Sequence, residues 1–343
     1  MEKTNLKSLT LTQMEEFIKQ LGEPVYRAKQ IFKWIYKGQT EFEKMTDLSK
    51  DLIARLKDCA YVGKIDIYKK YESEIDETTK YVFALEDGQM VESVKMKYSF
   101  GTTACISSQV GCSMGCAFCA STEGGMVRNL AWWEMADEVI AIEKDSNVKI
   151  SRVVVMGSGE PLLNYDELIQ FLRILNSPLA FNISYRRLTV STCGIVPKII
   201  RLAEEGLPIT LAVSLHAPND DIRSSLMPIN ERYPILQLLD ACKYYIMKTK
   251  RRITFEYILI SDINDTEQCA CELSNLLKDL LCHVNLIPLN PVEGKKFKKS
   301  DDSRIRKFEQ ILLNNGISAT VRREMGSDIN AACGQLRRSL LVR

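Results

Sequence analysis

Histidine is nearly absent from this 343-residue chain: there are two, His216 and His283, and neither has a second histidine or a cysteine pair at zinc-ligand spacing. Long apolar runs and an amino-terminal leader are absent too, so the reading expects neither a membrane span nor a secretory signal. Net charge is small, +2 from 46 Lys and Arg against 44 Asp and Glu, and by itself points to no polyanionic partner. The eleven cysteines are odd in number and follow no pattern of a small disulfide-stapled domain, which places the chain in a reducing compartment, the cytoplasm. With 45% hydrophobic residues, a chain of this length buries a full core, in one large domain or one large and one small.

The charge is unevenly placed. From Lys295 to Arg343 there are twelve Lys and Arg against five Asp and Glu, including Lys295, Lys296, Lys298 and Lys299 and the pair Arg337 and Arg338. Such a stretch suits phosphate contacts, and it equally suits a solvated surface.

What is present in unusual form is a triplet of cysteines. Cys112, Cys116 and Cys119 lie in Gly-Cys-Ser-Met-Gly-Cys-Ala-Phe-Cys, a C-x3-C-x2-C spacing with no fourth ligand nearby. An iron–sulfur cube usually takes four protein cysteines, so three in one loop leave an iron open to a reacting molecule.

The first sixty residues read as helices: Thr12 and Glu15 form a capping-box pattern before Met14, Phe17, Ile18 and Leu21, Pro24 opens a second run, and Leu48, Leu52, Ile53 and Leu56 mark a third. Alternation over Lys80 to Leu85 and Val91 to Met96 predicts strands. From Thr103 onward, six strand-then-helix units predict a parallel sheet, which fits an open doubly wound sheet or a barrel. The unusual residues fall just after the strands: Cys112 to Cys119, Gly157 to Pro161, Ser191 to Gly194, Ser214 to His216, and Leu289 to Pro291. A ring of such loops at one end of the strands favours the barrel, and six units leave it open on one side. The expected organisation is a helical domain over 1–60, a β-rich connector over 61–98 carrying Glu92, a partial (β/α)6 barrel over 99–320, and a carboxy-terminal segment over 321–343.

The cysteine loop resembles that of the radical S-adenosylmethionine (SAM) enzymes. Further phrases are similar to the adenine-C2 RNA methyltransferases of the RlmN type over nearly the whole chain: Val91 to Val94, Cys105 to Cys112, Arg128-Asn-Leu130, Gly157 to Pro161, Ser214 to Asn219, Met227 to Asn230, Asn285 to Pro288, and Ala331 to Leu336. The resemblance implies an α/β partial barrel, one [4Fe-4S] cluster on Cys112, Cys116 and Cys119, and SAM as both methyl donor and radical source. It implies that SAM is met by Gly159, Glu160, Ser191, Ser214, Leu215, His216 and Asn290.

Carbon 2 of adenine is electron-poor and cannot attack a sulfonium methyl directly. The resemblance therefore implies that Cys333 first takes a methyl group as a thiolate, that a radical from a second SAM removes hydrogen from it, and that the carbon radical adds to the base. Cys105 then attacks the sulfur of Cys333, forming a disulfide as the methylated base leaves, and Glu92 or Cys105 accepts the C2 proton. Implied partners are large-subunit (23S) ribosomal RNA, transfer RNA modified beside the anticodon, and an electron donor such as flavodoxin or ferredoxin, with the enzyme a monomer that meets no membrane. Two alternatives stay open: the related enzyme that methylates C8 of the ribosomal adenosine and confers antibiotic resistance, and a non-catalytic zinc-stabilised RNA-binding protein.

Overall fold

The computed structural model describes residues 3–292 and 294–336. Three amphipathic helices open it, α1 (Leu11–Gln20), α2 (Tyr26–Tyr36) and α3 (Lys50–Cys59), burying Met14, Ile18, Ile31, Phe32, Ile35, Leu52 and Leu56 in the main core. The capping box of α1 is Thr10 with Gln13, not Thr12 with Glu15: the helix begins two residues earlier, so that Leu11 and Met14 both turn inward. A buried ion pair, Lys7 on Asp137, ties this region to the barrel, and the second oxygen of Asp137 accepts the Ile65 N–H at 2.7 Å.

The strands that follow are β1 (Asp66–Glu72), β2 (Thr79–Ala84), β3 (Met90–Tyr98), β4 (Gly101–Ile106), β5 (Gln109–Gly111), β6 (Met126–Asn129), β7 (Ile150–Val155), β8 (Leu188–Thr192), β9 (Thr210–Ser214), β10 (Ile253–Leu259), β11 (Cys282–Pro288) and β12 (Ala319–Val321). Ten of them form one sheet in the order β12-β11-β10-β9-β8-β7-β4-β3-β2-β1, while β5 and β6 pair as a small separate ribbon. From β4 to β12 all neighbours in the sheet are parallel; β1 to β4 are antiparallel.

This order decides between the two architectures the alternation allowed. A doubly wound sheet reverses its strand order at a switch point, putting helices on both faces. Here the parallel strands follow one another without reversal, so right-handed crossovers carry every helix to the same face and the sheet curls around the other. The edges β1 and β12 do not meet, and the barrel stays open. All six expected parallel strands are present; the seventh, β12, has three residues, too short for alternation to reveal it.

The alternation of side chains defines the hollow face. On β4, Ala104 and Ile106 join the helix-covered core while Cys105 faces inward beside Val94 and Met96 of β3. On β7, Val153 and Val155 join the core while Val154, and Met156 just past the strand's end, pack inward. Over this inner face lies a strap, residues 325–336, whose Met325, Ala331 and Leu336 pack against Val94, Met96 and Cys105. Asp76 and Asp328 fasten it: Asp76 accepts the Gly326 N–H at 3.0 Å, and Asp328 accepts the Ser73 hydroxyl at 2.8 Å. No helix among the described residues is long and apolar enough to cross a membrane.

Candidate functional site

At the carboxyl end of the parallel strands lies an open cavity of about 960 Å³. Cys112, Cys116 and Cys119 line it, together with Gly159, Glu160, Ser191, Ser214, His216, Asn290 and Cys333. Ten of the thirteen sequence-derived site residues thus share one space. Leu215 does not reach it with its side chain, which is fully buried in the core; its carbonyl accepts from Arg223.

The three loop thiols suit a cluster. Burial raises all three, Cys112 to about 11, and at Cys116 the neighbouring Cys119 and Cys112 add to the rise. Left alone they are neutral thiols; bound iron supplies the positive charge that ionises them. Among the described residues no three His, Cys, Asp or Glu side chains converge at the spacing of a single ion. A tetrahedral zinc with bonds of ~2.3 Å draws its thiolates together, whereas each thiolate of a cube meets a different iron.

The turn after β7 is shaped for close approach. Gly159 has φ +103°, and a Cβ there would lie 2.6 Å from the Gln109 side chain. The Glu160 oxygens accept the Cys193 N–H at 2.7 Å and the Leu162 N–H at 2.9 Å, which fixes the carboxylate and leaves lone pairs toward the cavity. Burial raises its pKa, against these two backbone donors.

His216 is buried and adopts φ +59°, uncommon for a residue with a side chain. Its Nδ1 accepts the Ile258 N–H at 3.1 Å, so the proton sits on Nε2, and burial, with Arg223 adding to it, pushes its pKa down to about 3. The imidazole is a neutral donor at physiological pH.

Several motif phrases prove to be scaffold. Arg223 is fully buried and donates to the carbonyls of Cys193, Ser214 and Leu215, with Asn230 accepting at 2.9 Å, which accounts for the Asn of Met-Pro-Ile-Asn. Arg128 is bidentate to Glu134, and Asn129 accepts from Gln109, whose other amide atom receives the Glu160 N–H.

Next to the first cavity is a second of about 700 Å³, lined by Val94, Met96, Tyr98, Cys105, Arg322, Met325, Ala332 and Cys333. Cys333 belongs to both walls. Its strap is tied to the cysteine loop, the Ala120 N–H donating to Gly334 at 2.8 Å and the Ser121 hydroxyl to Leu336 at 2.8 Å, while the Asn290 amide donates to the Cys333 carbonyl at 3.3 Å.

Cys105 and Cys333 are free thiols, as are all eleven cysteines. The disulfide between them that the resemblance implied is thus not a standing bond; the structure holds the reduced pair. Burial first, then Cys333, pushes the Cys105 thiol up to about 12. Glu92 is buried on β3 one same-face step from Val94, the residue that pairs with Cys105, and lies 3.6 Å from Lys80. It lines neither cavity.

Sequence reasoning missed Glu256 and Arg322, which line the first cavity and approach each other at 3.8 Å. A glutamate in the middle of the otherwise mostly apolar strand Ile253–Leu259 was a legible signal; Arg322, past a three-residue strand, offered none. In the basic stretch, Lys299 pairs with Glu324 at 2.6 Å, and Arg337 and Arg338 lie outside the described residues.

Two family models match the chain: the ribosomal RNA large subunit methyltransferase N-terminal domain over residues 4–62 and the radical SAM superfamily over residues 106–270. The chain is 56% identical over 338 residues to a probable dual-specificity RNA methyltransferase RlmN of Thermoanaerobacter sp. strain X514, with 98% of each chain covered. It is 54% identical to a protein of the same description from Alkaliphilus metalliredigens, over 98% of this chain and 96% of the other. A solved radical SAM methyltransferase from Sphaerobacter thermophilus superposes with a TM-score of 0.94 at 46% identity, over 98% of this chain and 100% of that one.

Proposed function

The chain belongs to the RlmN family of radical SAM RNA methyltransferases, and on that premise we propose that it makes 2-methyladenosine in 23S ribosomal RNA and beside the anticodon of transfer RNA, with Cys333 as methyl carrier. The observation that carries this reading is the position of Cys333, on the wall shared by the cavity of the three loop thiols and the cavity of Cys105.

Cys112, Cys116 and Cys119 hold the [4Fe-4S] cluster, and Gly159, Glu160, Ser191, Ser214, His216 and Asn290 receive SAM, with Leu215 contributing through its backbone. When bound, these groups supply a methyl cation equivalent and, after one-electron reduction, a carbon radical able to abstract hydrogen. Cys333 accepts the methyl group as a thiolate, and its strap presents that group to the target base. Glu92 or Cys105 would accept the C2 proton while the adduct's unpaired electron returned to the cluster, and Cys105 would close an S–S bond to Cys333 as the S–C bond broke, the departing carbon keeping that electron pair and taking a proton to complete the methyl group. The buried thiol of Cys105 must lose its proton for that attack, which couples release to proton transfer.

The three-helix domain over 1–60 and the basic residues after Lys295 contact RNA in this reading, an exogenous flavodoxin or ferredoxin supplies electrons, and the enzyme works as a cytoplasmic monomer. The test is anaerobic reconstitution with iron and sulfide, then SAM, reductant and protein-free ribosomal RNA, with mass analysis of the nucleosides. A C2-methylated adenosine that disappears with Cys333→Ala supports the reading; C8 methylation overturns it.

A further inference from the structure

A third cavity, of about 490 Å³, opens at the amino end of the parallel strands, the end opposite the cysteine loop. Met96, Tyr98, Phe100, Thr103, Arg152, Val154, Arg187, Thr189 and Arg322 form its wall, and no carboxylate does. Arg322 lines all three cavities, and Met96 and Tyr98 are common to this one and the Cys105 cavity. The space therefore adjoins the Cys105 cavity, with Met96, Tyr98 and Arg322 forming the wall between the two.

Its chemistry is distinctive. The Tyr98 and Phe100 rings stack at 4.9 Å with 7° between planes, and the Arg152 guanidinium lies 4.8 Å from the Phe100 centroid. Phe100 is 60% exposed. Among the described residues Arg152 and Arg187 form no ion pair, although the structure pairs arginines elsewhere with Asp87, Asp262, Glu23 and Glu205. Two cations without counter-ions beside an exposed aromatic column match the two parts of an unpaired nucleotide: a planar base and a phosphate.

We propose that this cradle binds the single-stranded nucleotides next to the target adenosine, a flanking base stacking on the Tyr98–Phe100–Arg152 column and flanking phosphates pairing with Arg152 and Arg187. The inference rests on the RNA methyltransferase reading and adds a site to it. A base drawn out of its stack must be followed by its neighbours' backbone, and a cationic mouth at the far end of the lumen receives that backbone without crossing the cysteine loop.

The test uses the full, reconstituted chain and an anticodon stem–loop transcript. KM for the transcript is measured at several salt concentrations for the wild type, Phe100→Ala, Phe100→Trp, and the double variant Arg152→Gln with Arg187→Gln. Loss of one stacked base raises KM by roughly 5- to 100-fold in Phe100→Ala without altering the salt slope, and Phe100→Trp restores it. The double arginine variant raises KM and flattens the slope of log KM against log salt by about 1.4, two single-strand contacts at ~0.7 each. RNA-independent methyl loading of Cys333 stays at the wild-type level in all variants, which shows that they fold.

KM within twofold of wild type in Phe100→Ala, together with an unchanged KM and salt slope in the double arginine variant, overturns the cradle while leaving the enzyme reading intact. A wild type that loads Cys333 yet transfers nothing to RNA overturns the reading itself.

Discussion

The three thiols at the carboxyl end of the lumen come from one short loop, whereas Cys105 and Cys333 come from a central strand and from a strap at the other end of the chain. The first group is set by the spacing within one loop, with a glycine at Gly115 of φ +71°, and distant segments only anchor that loop, through the Ala117 N–H on Leu226 and the Ala120 N–H on Gly334. The second exists only after the whole sheet has curled and the strap has crossed it. Three thiols in one loop can be carried by a motif; two thiols brought together from a strand and a distant strap need tertiary structure.

The most drastic way to break this contrast is to remove one thiol from each group. Cys116→Ala abolishes cluster binding, read as lost absorbance near 400 nm and lost SAM cleavage, and RNA methylation falls by at least about three orders of magnitude. Cys333→Ala abolishes methylation as fully yet retains the cluster and SAM cleavage. If cluster content falls equally in both, the two groups are not separable.

A subtler cut leaves every thiol in place. Gly326 has φ +63°, and a Cβ there would lie 2.7 Å from Thr78 and 2.8 Å from Ala331. Gly326→Ala therefore displaces the strap, at a conformational cost of about 1–2 kcal/mol plus the steric clash. Methyl loading of Cys333 and RNA methylation fall roughly 10- to 100-fold, since a misplacement of about 1 Å costs that much, while iron and sulfide content do not change.

The pH response sharpens the contrast further. Because Cys105 is pushed up to about 12, its thiol form persists at neutral pH, and its alkylation by iodoacetamide keeps accelerating from pH 8 to 10. An ordinary thiol levels off above its value of about 8.5. Mass spectrometry of the Cys105 peptide reads this directly, and an early plateau contradicts the burial argument. The smallest effect is at His216. With a pKa lowered to about 3, its ring signals in the cluster-free protein do not move between pH 8 and 5, the window in which an unperturbed histidine gains its proton.

Legibility in the sequence follows the same division. The cluster loop, the six long strands and the loops at their carboxyl ends were readable, because spacing and alternation are local properties. The cap of α1 was misread by two residues, since Thr10 with Gln13 and Thr12 with Glu15 satisfy the same pattern and only packing chooses between them. Leu215 was read as a ligand contact from its motif; that its side chain belongs to the core was not legible there. Arg322 and the Tyr98–Phe100–Arg152 column were invisible, because they join β3, the turn after it, β7 and the end of β12, segments far apart in sequence.

The unreversed strand order has a consequence for biosynthesis. As the chain leaves the ribosome, each new parallel strand from β7 onward adds to the free edge left by the one before, and no later strand must insert between two that are already paired. The strap comes after all of them, yet its contacts reach back to residues 73–80 and 94–105 near the start of the sheet. Cys333 is therefore among the last side chains to find its neighbours: the molecule completes its sheet before the Cys333 sulfur reaches the wall between the two cavities.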